Sequence, residues 1–205
     1  MTHARLITFE GGEGSGKSTQ IKILHDYLLS LGKTVACFRE PGSTSVSEQI
    51  RNILLHTEAD LSPRTELFLY CAARSQLIHE RLAPAMAAHD FVLVDRYTDS
   101  TLVYQGVALG LGIEAIAPIV TYGCSGFVPD KTFFLDIDPA QGLSRITQAK
   151  DRIEQRDIAF HQRLREGYHT LARMYPARMT VIYNDDIATT AATVKVTVAG
   201  MMHGC

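Results

Sequence analysis

Several function classes are excluded by what this 205-residue chain lacks. With 20 Lys and Arg against 22 Asp and Glu, the formal charge is -2, so there is no broad basic field for a nucleic acid backbone. Any nucleotide is therefore held in a pocket. Cys37, Cys71, Cys124 and Cys205 are scattered, with no C-x-x-C pair and no metal spacing, a usage that fits a reducing cytosol. None of the eight histidines shows a ligand spacing such as H-E-x-x-H. No apolar run approaches the ~18 residues of a membrane helix. Met1 to Arg5 leads directly into an apolar stretch, so no secretory leader is expected. Internal repeats and linkers are missing too, and one domain over residues 1–205, long enough to bury a sizeable core, is the economical reading.

What is present begins with Gly11-Gly12-Glu13-Gly14-Ser15-Gly16-Lys17-Ser18, directly after the apolar Leu6-Ile7-Thr8-Phe9. Glycines without Cβ atoms allow positive φ, so successive backbone N–H groups can converge on phosphate oxygens. The following helix, with Ile21, Leu24, Leu28 and Leu31 at helical spacing, turns its positive end to the same anion. Lys17 is placed to reach the β and γ phosphates of a nucleoside triphosphate, and the Ser18 hydroxyl to ligate Mg²⁺. An ordinary Gly-rich strand-to-helix turn is the alternative.

Strand and helix signals alternate from there, which predicts a parallel sheet with helices on both faces. Strands are expected at 6–9, 34–38, 91–95, 132–136 and 180–183. Helices are expected at about 47–55, 62–88, 99–107 and 114–122, after Pro139, up to about 173, and from about 187. Pro84 implies a kink or an early break in the long third helix. Ligands in such open sheets bind beyond the carboxyl ends of the strands. The phosphate loop, Arg39-Glu40, Asp95-Arg96 and Asp136 all fall there and are expected to line one cleft. Asp95 has the placement of an acid that holds Mg²⁺ directly or through water, and Arg96 can fork two N–H groups onto an acceptor phosphate. A structural Asp–Arg surface pair is the competing reading. Asp138 reads as a helix cap before Pro139, and Asp185-Asp186 as the end of the last strand and the cap of the last helix.

The string Phe9-Glu10-Gly11-Gly12-Glu13-Gly14-Ser15-Gly16-Lys17-Ser18-Thr19 resembles the opening of bacterial thymidylate kinases. So do Arg39-Glu40-Pro41-Gly42, Ala72-Ala73-Arg74-Ser75-Gln76, Asp95-Arg96-Tyr97 with Ser100, Tyr104, Gln105 and Gly106, Pro129-Asp130, and Asp151-Arg152-Ile153-Glu154. The resemblance implies a P-loop three-layer α/β fold with a five-stranded parallel sheet and a short lid at about 148–157. It also implies phosphorylation of dTMP to dTDP by Mg·ATP, for dTTP biosynthesis in the cytoplasm, by a homodimer. Gly11 to Thr19 and Arg145 would hold ATP, while Ser18 and Asp95 would organise the metal. Lys17, Arg96 and a lid arginine would act on the moving phosphoryl group.

On the acceptor side, the resemblance implies that Tyr70 stacks on thymine, where the family more often has Phe, and that Arg74 donates to a thymine carbonyl. Core packing for Tyr70 and a solvated surface for Arg74 are the competing readings. Thr101 and Gln105 match positions that hydrogen-bond the base, and Tyr104 matches the residue that crowds the sugar 2′ position. Glu40 resembles the acid that meets the 3′ hydroxyl or a metal-bound water, beside Pro41, which fixes the turn. Arg39 is either a phosphate contact or the partner of Glu40. Glu13 resembles a carboxylate on the acceptor side.

Two departures stand out. Ser15 occupies a position where some members carry a catalytic Arg, which passes that duty to lid residues Lys150, Arg152 or Arg156, with Arg152 preferred. Ser43 stands where the family usually repeats Gly. The first candidates for the dimer interface are the helix from Arg64 and the one near Asp99. Another deoxynucleoside monophosphate kinase, or a degenerate nucleotide-binding module, is the rival reading. No N-K-x-D signature of a GTPase is present.

Overall fold

The computed structural model describes residues 4–147, 151–183 and 186–203. Among them, five strands form one sheet: β1 (Arg5–Glu10), β2 (Val35–Arg39), β3 (Phe91–Asp95), β4 (Lys131–Asp136) and β5 (Met179–Tyr183). Their order is β2-β3-β1-β4-β5, and every pairing is parallel. Strands buried on both faces need apolar side chains at successive positions, and the inner strands β1, β3 and β4 have them. Ile7, Phe9, Leu93, Phe133 and Leu135 point to one face, where Leu24 and Leu28 of α1 (Lys17–Ser30) and Val194 and Val198 of α9 (Ile187–His203) cover them. Leu6, Val92 and Val94 point to the other, against Leu77, Ile78 and Leu82. Phe134 joins a third cluster with Val103, Tyr104 and the α8 (Ile158–Met174) residues Phe160, Leu164 and Tyr168.

The remaining helices are α2 (Ser45–His56), α3 (Pro63–Leu77), α4 (Ala83–Ala88), α5 (Thr98–Thr101), α6 (Ile113–Gly123) and α7 (Pro139–Ser144). Their starts follow local chemistry. Thr44, Ser62, Asp138 and Asp157 each accept a backbone N–H of the first turn, and Pro sits in the first turn of α3 and α7. Asp186 accepts from Thr189 N at the start of α9, as expected of it, whereas Asp185 lies outside the described residues.

Two expected helices are wound differently. The long one from residue 62 to 88 passes through a π turn at Ile78–Leu82 between α3 and α4. Pro84 cannot donate to Glu80 and its ring crowds that carbonyl, so the widened turn just before it replaces the expected kink. The helix expected at 99–107 is α5 followed by a π segment over Leu102–Ala108. Nearly every residue of that segment is buried, so tertiary packing sets its winding, and it offers little surface for the expected dimer contact. None of the described helices is long and apolar enough to cross a membrane.

The site is positioned by β1, which lies at the sheet centre and feeds the phosphate loop. Parallel register sets Phe9 beside Asp95, and Asp95 beside Arg39, so three strand ends open onto the same edge. The loop is then pressed against α7. A Cβ on Gly14 (φ +66°) would collide with the Gly142 carbonyl, and a Cβ on Gly142 with the carbonyl of Glu13. Alanine at 142 gains about 1 kcal/mol of helix propensity, but overpacking costs about 1–3 kcal/mol. Gly142→Ala is therefore expected to lower Tm and weaken triphosphate binding. Calorimetric titration with ATP, returning wild-type affinity and Tm, would show that this contact does not shape the loop.

Candidate active site

The phosphate loop uses its glycines where the backbone demands them. Gly11 (φ +144°) passes so near Leu135 that a Cβ would lie 2.6 Å from that carbonyl oxygen, and Gly16 (φ +82°) caps α1 in a left-handed conformation. Lys17 Nζ lies in the loop, donating to the carbonyls of Gly12 (2.9 Å) and Gly11 (3.3 Å) and to Ser15 Oγ (3.3 Å). Burial, and then the like charge of Arg96, push its ammonium below the usual lysine range. Ser15 donates from Oγ to Gly12 O, so the serine that replaces an arginine closes the loop on itself. A cleft of about 660 Å³ opens here, lined by Glu13 to Gln20 together with Asp95, Arg96 and Arg145. Arg145 also donates to Gly14 O at 3.3 Å.

Ser18 Oγ donates to Asp95 Oδ2 at 2.8 Å, which joins the helix start to the end of β3. Arg96, the next residue, is left-handed at φ +64°. Its guanidinium donates to Gly11 O (2.9 Å) and Glu13 Oε1 (2.6 Å) and lies 5.2 Å from the Tyr104 ring centroid. The alternative of an Asp95–Arg96 surface pair is thus replaced by a cation that bridges the loop and the acceptor side. Tyr104 donates its hydroxyl to the same Glu13 oxygen at 2.8 Å. Burial would raise the Glu13 carboxyl, but Arg96 and Lys17, helped by the Tyr104 hydroxyl, hold it down to about 2.

A second, narrower pocket of about 80 Å³ shares Glu13, Glu40, Arg51 and Arg96 with the cleft and runs on past Pro41, Tyr70, Arg74, Thr101, Tyr104 and Gln105. Every residue expected on the acceptor side borders it. Arg74 is 1 % exposed, which removes the surface reading. Its Nε donates to Glu40 Oε2 (2.7 Å) and its Nη2 to Thr101 Oγ1 (2.9 Å) and Tyr97 O (3.0 Å). Among the described residues, Arg74 Nη1, Glu40 Oε1 and Gln105 Oε1 are buried with no hydrogen-bond partner. Such an atom costs about 1–3 kcal/mol, and all three belong to residues that line this one pocket. Tyr70 packs partly against the core, as its core-packing reading expects, and also lines the pocket.

Arg39 is not the partner of Glu40. It donates to both oxygens of Glu48 at 2.9 Å and borders the larger cleft. Ser43, in the family's glycine position, is left-handed at φ +70°. That conformation costs roughly 1–2 kcal/mol, offset by its N–H on Glu48 (2.8 Å) and its hydroxyl on the Arg39 backbone.

The lid differs most from expectation. Asp151 Oδ1 accepts from Ile153 N and Glu154 N while Glu154 reaches back to Asp151 N, a reciprocal cap that shapes the Asp-Arg-Ile-Glu turn. Arg152 points away from the phosphate loop, to Glu66 Oε1 (2.7 Å) and Leu54 O (2.8 Å), and borders neither cavity. A buried carboxylate and a free carbonyl outcompete the solvated cleft for it. Arg156 lies 3.9 Å from the same carboxylate and over Phe160. Gln148, Ala149 and Lys150 lie outside the described residues.

Three functional candidates escape a reading of motifs. Arg51 on α2 borders both cavities and donates to Pro41 O at 3.0 Å, yet sits in no motif block. Glu66 begins an i, i+4, i+8 stripe with Tyr70 and Arg74 along α3, a signal visible in the spacing. Glu10, quoted as part of the loop motif, is fully buried and accepts from Tyr97 N (2.7 Å), Ser100 Oγ (2.6 Å) and the Tyr168 hydroxyl (2.9 Å). Asp136 is paired with Arg165 and His169 instead of facing the cleft.

Burial, and then the nearby charge of Asp99, push the Glu10 carboxyl up to about 7, and burial raises Glu40 to about 7 against the pull of Arg74. A folded-state pKa above the unfolded value contributes stability that is full below about 4.5 and is lost as pH rises through about 7. The urea midpoint is therefore expected to fall between pH 5 and 8, with a shallower slope in Glu10→Gln. An unchanged slope in that variant would show that Glu10 does not titrate in this window.

Known proteins resemble this chain in sequence and fold. A family model described as thymidylate kinase matches residues 9–191. The thymidylate kinase of Thermoanaerobacter sp. (strain X514) is 42% identical over 179 residues, covering 87% of this chain and 88% of the relative. That of Solidesulfovibrio magneticus is 45% identical over 186 residues, covering 86% and 89%. The crystal structure of the thymidylate kinase from Ehrlichia chaffeensis superposes with a TM-score of 0.79 at 29% identity, over 97% of this chain and 99% of that one. On this match of sequence and fold, the chain belongs to the thymidylate kinase family.

Proposed function

We propose that this protein transfers the γ-phosphoryl group of ATP to the phosphate of dTMP, giving dTDP and ADP, in deoxynucleotide biosynthesis. The observation that carries the reading is the meeting of two cavities at Arg96, one bounded by the phosphate loop and the other by buried, incompletely bonded Arg74, Glu40 and Gln105. ATP occupies the larger cleft, with its phosphates on the loop N–H groups of Gly11 to Thr19 and Arg145 at its border. The acceptor occupies the narrower pocket, where Tyr70 meets the base face, Arg74 Nη1 donates to a base carbonyl, and Thr101 and Gln105 complete the base edge. Tyr104, tied to Glu13, crowds the sugar edge, and Glu40 with Pro41 borders the sugar.

An oxygen of the dTMP phosphate attacks the γ phosphorus, and the bond from that phosphorus to the bridging β oxygen breaks as ADP leaves. No protein base is required, because the attacking oxygen is already ionised. Positioning and charge supply the catalysis. Lys17 exchanges its loop carbonyls for donor phosphate oxygens, and Arg96, with Arg51 on the border of the same two cavities, holds the acceptor phosphate. With Arg152 engaged on Glu66, the missing loop cation at Ser15 is compensated by Arg51 and Arg145, two of the cations that border the cleft, and Arg152 joins them only if the lid releases it. The Ser18 hydroxyl and Asp95 carboxylate form a hard oxygen pair, which suits Mg²⁺ and not a soft metal. Bound there, Mg²⁺ would neutralise charge on the ATP phosphates. A cytoplasmic homodimer is part of the proposal, with α3, where Phe68 is 58% exposed, as its contact helix.

A coupled ADP-release assay with dTMP, dUMP, dCMP, dGMP and UMP as acceptors is expected to rank dTMP first. ATP binding without turnover on any acceptor would replace the enzyme by a binding module. Lys17→Ala is expected to cut kcat by about 10²- to 10³-fold on the scale of lost transition-state charge contacts, with the circular dichroism spectrum unchanged. Near-normal turnover would remove Lys17 from the site. Arg74→Ala is expected to raise the dTMP dissociation constant by about 10- to 100-fold, the cost of one buried charged hydrogen bond. An unchanged constant would move the base elsewhere.

A further inference from the structure

Glu66 is 1 % exposed, one turn into α3, and beyond reach of the helix cap, which Ser62 supplies to Thr65. Its two oxygens have separate partners. Oε1 accepts from Arg152 Nη1 at 2.7 Å, and Oε2 accepts from Gln105 Nε2 at 3.2 Å. On the far side of the amide, Gln105 Oε1 is buried and makes no hydrogen bond, and Gln105 borders the acceptor pocket. A primary amide can turn over, exchanging donor for acceptor, and the two orientations are nearly equal in shape. Here chemistry decides between them. A carboxylate paired with an arginine offers only acceptors, so the amide must give it the NH₂ group and keep the oxygen for the pocket.

We propose that Glu66 is a positioning residue that fixes the polarity of Gln105, and through it makes the pocket choose a pyrimidine carrying N–H at ring position 3. Thymine and uracil present a donor there, and cytosine presents a bare acceptor nitrogen. An acceptor locked at Gln105 Oε1 meets the first two with a hydrogen bond and the third with lone pair against lone pair. Arg152 takes part as the counter-charge that keeps Glu66 an acceptor, and the Leu54 carbonyl holds that arginine in place. The 5-methyl group is read by other contacts, because it has no hydrogen-bonding capacity. This inference rests on the proposed use of dTMP as acceptor.

The test compares kcat/KM for dTMP, dUMP and dCMP in the wild type, Glu66→Gln, Gln105→Met and the double variant. Glutamine at 66 has one acceptor and one donor group, so residue 105 is free to present either side. Glu66→Gln is expected to lower the preference for dTMP over dCMP by about tenfold, the scale of one mispaired buried hydrogen bond. The dTMP to dUMP ratio is expected to stay within about twofold. In the Gln105→Met background the same change is expected to add nothing, because the amide through which it acts is gone. The proposal is overturned if the dCMP preference is unchanged in Glu66→Gln, if both ratios move together, or if the effect persists in the Gln105→Met background. Glu66→Asp, which retracts the carboxylate, takes the place of Glu66→Gln if that variant does not fold, with the same expected direction. Absence of turnover with every acceptor in the wild type defeats the functional reading by itself, and the same ratios are then read as dissociation constants from calorimetry.

Discussion

Arg96 is where the two halves of this molecule are tied. Its backbone leaves β3 in a left-handed turn, at a cost of roughly 1–2 kcal/mol. Hydrogen bonds to charged groups contribute about 1.5–3 kcal/mol each, and the guanidinium makes one to Glu13 while also holding the Gly11 carbonyl. The balance favours the strained turn. Once it is made, the phosphate loop, Glu13 and Tyr104 cannot move independently, because all three meet the same cation. The salt bridge to Glu13 is mostly shielded from water, so removing one partner would leave an uncompensated charge.

The same economy of charge governs the acceptor pocket. Glu40 and Arg74 neutralise each other in a fully buried pair, yet each keeps one atom without a partner. A buried polar atom left unpaired weakens the empty protein and strengthens binding of whatever satisfies it. Stability and recognition are therefore opposed at this pocket, as they are wherever a site is built before its ligand arrives. Glu10 shows the other outcome. Its carboxyl is equally buried, but a backbone donor from the turn after β3 and hydroxyl donors from α5 and α8 surround it, and it serves as a node of the scaffold.

Much of this was legible in one dimension. Apolar runs at 91–95 and 132–136 announced buried parallel strands because such strands need no alternation. Asp138 with Pro139, and Ser62 with Pro63, announced helix starts because caps are local chemistry. The loop motif, Arg39-Glu40 and Asp95-Arg96 share one cleft, as the strand-end reading expects, because parallel sheets open their ligand crevice at one edge, whereas Asp136 is drawn off by Arg165 and His169. What escaped was non-local. The π segment at 102–108 arises from packing around buried side chains, while the one at 78–82 accommodates Pro84 by widening a turn where a kink is expected. Arg51 comes from a helix with no motif of its own, and its value depends on α2 lying against the cleft. Arg152 was drawn off by Glu66, a residue 86 positions away in the chain.

The sequence by itself determined that a glycine-rich phosphate-loop motif follows an apolar strand, which elements surround it, and which side chains are candidates for the acceptor side, since each rests on local geometry or on a motif's own atoms. Only the tertiary structure decided how those side chains are shared out among one another. It tied Arg39 to Glu48, buried Arg74 against Glu40, turned Arg152 from the phosphates to Glu66, and left one atom each of Arg74, Glu40 and Gln105 unpartnered at one pocket. The physical reason is competition. A charged or polar group has several partners of similar strength within reach of its type, and burial by distant segments selects among them.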